Sequence, residues 1–150
     1  MTDLPKPDFA CNMGIVGYSH QGGRPDGVQV MVHRGYAYVG HMFSKGFSVI
    51  DVRDPKNPRP VQYIAAAPNT WNIHLQIHDD LLLVINAKDM FAAAEFADER
   101  AYYSGALGKA VGTAQAKRAR DWAAGLAVYD VSKPEAPVLL IVERAVKSGG

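Results

Sequence analysis

The chain has a single cysteine, Cys11, among 150 residues. One thiol excludes an internal disulfide and a zinc site built on clustered cysteines. Charge of one sign is also missing: Lys plus Arg number 16 and Asp plus Glu 15. A balanced chain lacks the basic surface that draws nucleic acid or an anionic membrane, so neither is expected as a partner. No apolar run approaches the length of a membrane span. The opening residues, MTDLPKPDFACNMG, show no basic start with an apolar stretch behind it. No signal peptide is visible, and a cytoplasmic location is the default expectation. Gly22-Gly23 is no phosphate loop, because the lysine and hydroxyl residue that such loops place after their last glycine are missing.

What the sequence has is a repeat. GFSVIDVRDPKNPRPV, starting at Gly46, returns as GLAVYDVSKPEAPVLL, starting at Gly125. Gly46 matches Gly125, Asp51 matches Asp130, and Pro55 matches Pro134. Each copy reads as an apolar strand, an Asp and a turn with two prolines. The alternation extends upstream. Val28, Val30 and Val32 share one face of a strand, and the residues between them share the other. Arg34-Gly35 turns into a return strand at 36–41, a third strand runs over 47–52, and a fourth over 61–65. The series then restarts: Ile73 takes the place of Val28, Asp79-Asp80 that of Arg34-Gly35, and 81–86 that of 36–41. Between the second and third strands of this second unit lies an insertion at about 89–124. It is rich in Ala, Glu, Lys and Arg and is predicted to form helices over 90–103 and 108–122.

The expected fold is therefore mainly β. It comprises an irregular segment over 1–27, with 13–18 as its one candidate strand, and a repeat region over 28–150. That region holds two four-stranded antiparallel meanders, the second interrupted by helices. Tandem four-stranded units of about forty residues are the pattern of a β-propeller. Two blades leave apolar faces and a strand edge uncovered. The expected partners are accordingly further propeller blades or another protein chain, and a compact two-sheet sandwich is the structural alternative.

YAYVGHMFSKGFSVIDVRDPKNPRPV, with LLLVINAKD and GLAVYDVSKPEAPV, resembles the LVIVD-repeat proteins. The resemblance implies propeller-type blades, here as a two-repeat fragment, and a binding or interaction role. It also implies a cell-surface setting, where members of that family are often described.

The residues themselves suggest two kinds of site. Asp51 and Asp130 stand just before proline-containing turns, where a carboxylate accepts backbone N–H groups of the turn. Gly46, Asp51, Pro55, Gly125, Asp130 and Pro134 are thus the expected structural repeat positions. The five histidines all precede the insertion. His74 and His78 lie on one face of a strand but roughly 13 Å apart, too far to share an ion. His33 and His78 hold matching places beside turns and read as exposed or turn-bonding groups. His20, His41 and His74 are the candidate ligands for a divalent transition metal at the mouth of a propeller channel. Trp71 reads as a core cap and Cys11 as a buried inert thiol. The leading expectation is an interaction module belonging to a larger propeller. The alternative is a metal-dependent enzyme, such as an oxidoreductase, or a fragment of one, working through that histidine cluster.

Overall fold

A computed structural model describes residues 8–89 and 125–144. Every regular element among them is a strand. The expected helices at 90–103 and 108–122 lie outside the described residues. No helix among the described residues is long and apolar enough to cross a membrane.

Strands β1 (Gly27–His33), β2 (Tyr36–His41), β3 (Gly46–Asp51) and β4 (Arg59–Ile64) form an antiparallel meander in sequential order. The second sheet holds β5 (Thr70–Trp71), β6 (Leu75–His78), β7 (Leu81–Lys88), β8 (Gly125–Asp130) and β9 (Val138–Arg144). Its order is β5-β7-β8-β9, with β6 also paired to β7. The strand expected over 73–78 is shorter, starting at Leu75, and a further short strand precedes it. Thr70–Trp71 pairs with the far end of β7, and Leu75–His78 with its near end. Asn72 interrupts them by donating its side-chain amide to the Ile85 carbonyl and to Asn86 Oδ1, groups on β7. No strand forms over 13–18, and the ladder starts at Gly27, one residue before the expected Val28.

The duplication is carried by the turns. Asp51 Oδ1 accepts the Arg53 backbone N–H at 3.1 Å, and Asp130 Oδ1 accepts that of Ser132 at 2.7 Å. Pro55 sits second in a turn closed from Asn57 N to the Asp54 carbonyl, and Pro134 second in one closed from Ala136 N to the Lys133 carbonyl. Proline presets φ for that position. Ladder register shifts between Val49 and Ile50 in one sheet and between Val128 and Tyr129, the matching pair, in the other. Gly46 and Gly125 enter their strands at φ 98° and 135°. Side chains rarely adopt such angles, so glycine fits both starts.

Each sheet has two faces, here called front and back. Tyr36, Tyr38, Phe47 and Val49 lie on the front of the first sheet. They form one buried cluster with Leu75, Leu82, Val84, Ala127 and Val131 of the second. By the repeat, Leu82, Val84 and Val131 match Ala37, Val39 and Val52, which lie on the back of the first sheet. The front of one unit therefore packs on the back of the next. Full burial of each large apolar side chain there contributes about 1.5–3 kcal/mol. Phe47 meets the Tyr129 ring edge-on with centroids 5.2 Å apart. The Tyr38 hydroxyl crosses to the Pro134 carbonyl at 3.0 Å.

Close approach is set at Gly40. A Cβ there would stand 2.5 Å from the Asn72 carbonyl oxygen, so a side chain would push the sheets apart. Three polar ties flank the core. Gln29 Oε1 accepts Leu75 N–H at 2.8 Å, Asp80 takes both His33 and Arg34, and Lys45 pairs with buried Asp89 at 2.8 Å.

Candidate functional site

Asp26 precedes β1, His41 ends β2, and Ser48 lies opposite Val39 in β3. Strand pairing brings the three together on the back of the first sheet. His41 Nε2 is 2.7 Å from Ser48 Oγ, and its Nδ1 faces Asp26 Oδ1 at 3.2 Å. An ionised carboxylate only accepts, so it favours the hydrogen on Nδ1 and leaves Nε2 to accept the serine hydroxyl. Asp26 also accepts the backbone N–H groups of Phe43 and Ser44, both at 2.6 Å, and the Ser44 hydroxyl at 2.7 Å.

Burial pushes the Asp26 carboxyl up, but the Ser44 backbone and hydroxyl donors and the electrostatic pull of His41 outweigh it, so the group sits below its ordinary value. Burial pushes His41 down, more than Asp26 lifts it, so the imidazole sits below its ordinary value.

The order Asp–His–Ser is that of an acyl-transfer triad. Access decides against that chemistry. His41 is 0% exposed and Ser48 1%. Tyr63 closes over them, edge-on to His41 with ring centroids 6.2 Å apart. Its one hydroxyl hydrogen is shared between the Ser44 and Lys45 carbonyls, and the Arg24 guanidinium stacks 3.7 Å above its ring. No substrate carbonyl reaches Ser48 Oγ in this fold. The network instead ties the start of β1 to the 42–45 turn, from which Lys45 reaches Asp89 of the second unit.

The three histidines proposed as metal ligands have separate settings. His20 Nδ1 accepts the Gly23 N–H, His41 is in the buried network, and His74 lines a groove beside β6. Among the described residues no three His, Cys, Asp or Glu side chains are grouped to hold a metal ion.

The groove of His74 encloses about 270 Å³ between Gln29, Gln76, Leu83, Ile85 and Leu126. It lies on the front of the second sheet, at its inner edge. His74 occupies the place that Gln29 holds in the first unit. Cys11 is exposed, not buried, because the segment around it forms no strand and packs into no core. His33 is turn-bonding as expected, through Asp80 at 3.1 Å. Trp71 is buried against Met42, Phe43, Ile73 and Ala87, the cap that was expected.

The repeat positions fill structural roles. Asp51 receives Arg53 at 2.7 and 3.0 Å and Arg59 at 3.2 Å. The Arg53 side chain, its backbone N–H and Arg59 hold the Asp51 carboxyl far below the usual range. The Ser132 N–H lowers Asp130 as well. Sequence reasoning missed Asp26, Ser48 and Lys45. For Asp26 the one available signal was its place just before a regular strand.

Residues 26–62 match the family model of the LVIVD repeat. Over that stretch the chain is similar to an LVIVD repeat. The matched stretch starts at Asp26 and runs through most of β4, so it takes in Asp26, His41, Ser48 and the Asp51 turn. The second unit lies beyond it and shares its turns without its His41, where Asn86 stands. No curated protein and no solved structure matches the chain.

Proposed function

We propose that this chain is a protein-interaction module of propeller type. Its two sheets act as consecutive blades, and its partner is another β-unit of the same kind. The supporting observation is the stacking itself. Two copies of one unit pack front to back, and such packing has no internal stop. The similarity to an LVIVD repeat at residues 26–62 agrees with blade-like use. The Asp26–His41–Ser48 network and the two Asp turns serve as scaffold, and the faces do the binding.

The exposed strand β9 points the same way. Its residues 138–142, all large and apolar, are each at least 41% exposed, whereas the matching strand β4 starts Arg59-Pro60. Charge and proline blunt an edge, and β9 lacks both over those positions.

The test compares partner capture by the native chain, by Leu83→Lys on the front of the second sheet, and by Lys56→Glu on a remote turn. Binding kept by the native chain and Lys56→Glu but lost by Leu83→Lys supports the module. Equal capture by all three contradicts it.

A further inference from the structure

The front of the second sheet carries the same positions that, in the first, form the inter-sheet core. Leu81, Leu83, Leu126 and Val128 stand where Tyr36, Tyr38, Phe47 and Val49 stand. Those four are buried, whereas Leu81 is exposed and the other three are only half-buried. The complementary surface is open at the other end of the molecule. Within the chain, Leu75 and Ile77 of β6 insert against the first sheet's front, and Leu75 is 3% exposed. Their counterparts on β1 are Val30 and Val32, which are 57% and 64% exposed. The segment before β1 covers other parts of that face: Arg24 lies on Tyr63, and Gln21 lies near Val39 and Gly27. Among the described residues, Val30 and Val32 remain largely exposed.

We propose that a second copy of this chain docks here, the β1 valines of one copy entering the front of the second sheet of another. This rests on the interaction-module reading and names its partner. The contact continues an interface the chain already makes with itself. It is heterologous, so two copies joined both ways close a ring of four sheets, within the range of closed propellers. His74 suits the same role as its counterpart. Gln29 accepts Leu75 N–H across the internal interface, and a ring nitrogen at that place accepts the Val30 N–H of the incoming copy. One difference shapes the fit. Ile85 replaces Gly40, so the incoming strand stands farther out at that corner, beside the groove of about 270 Å³.

Sedimentation equilibrium and native mass spectrometry of the whole chain test this. The native chain is expected at a mass of at least two copies. Ile85→Lys on the front and Val32→Lys on β1 each weaken association at least about tenfold, since each puts a charge within a desolvated contact. Mixed in equal amounts, the two variants form a heterodimer, because one carries an intact front and the other an intact back. A monomeric native chain overturns the proposal. So does Val32→Lys that still associates on its own, since that indicates front-to-front pairing. Leu81→Lys and Val30→Lys, also at exposed positions, repeat the test if either first variant fails to fold. Loss of self-association with partner capture retained rejects the second copy and leaves the module reading standing.

Discussion

The two sheets share their turns, bulges and strand order, but their polar interiors differ. In the first, Asp26, His41 and Ser48 form a buried network under Tyr63. In the second, Ala127 replaces Ser48, and Asn86 replaces His41 and bonds with Asn72. The comparison separates what the fold requires from what one unit adds. Asx turns, prolines and entry glycines recur because the backbone path needs them. The histidine network does not recur, so it serves the end of β2 and the turn after it, not the blade pattern.

Disturbing the shared core gives the largest expected effect. Leu82→Ala, at a site fully buried between the sheets, is expected to cost about 2–5 kcal/mol in urea unfolding. A loss below about 1 kcal/mol would mean that the back of the second sheet is not in the core. His41→Ala ranks next. It leaves Ser48 and Asp26 without a ring partner and is expected to cost about 1–3 kcal/mol by the same assay.

The network also predicts an acid response. His41 is held below the ordinary value of 6.5, so the unfolded chain takes up a proton there before the folded one does. Stability is therefore full above about that pH and falls as pH drops from it towards the lowered value. Asp26 and Asp51 are held below 3.8, so their contributions are lost later, as pH falls from the carboxylate range. Unfolding midpoints measured against pH are expected to show both stages, and His41→Asn, the residue type found in the second unit, removes the first.

Smaller effects sharpen the contrast of the turns. Asp51→Ala is expected to destabilise more than Asp130→Ala, because Asp51 holds two arginines besides its backbone bond. Equal melting temperatures for the two variants would count against that role. Smallest is Ile141→Lys on the exposed edge strand, expected within about 0.5 kcal/mol of the native chain. Its readout is solubility, which should rise; no change would argue that the β9 edge is not sticky.

Much of the fold was legible because side-chain alternation and turn chemistry are local. Strand β2 was placed at both ends, and Asp51 and Asp130 were assigned to their turns, from short stretches. The division of 70–78 into two strands was not legible, since it depends on Asn72 reaching β7. The site was less legible still. His41 looked like a ligand because imidazole binds metals. Its actual neighbours, Asp26 and Ser48, come from pairing across three strands, which no spacing in the sequence encodes. The exposed state of Cys11 likewise depends on a segment that packs into no core.

The central claim is that one unit's front rests on the next unit's back. Proton–proton Overhauser contacts between the Phe47 and Tyr129 rings test it most directly, with centroids 5.2 Å apart. Cross-peaks between those rings, together with a slowly exchanging Leu75 amide bonded to Gln29, are the expected result. A solvent-exposed Phe47 ring with no contact to Tyr129 would contradict it.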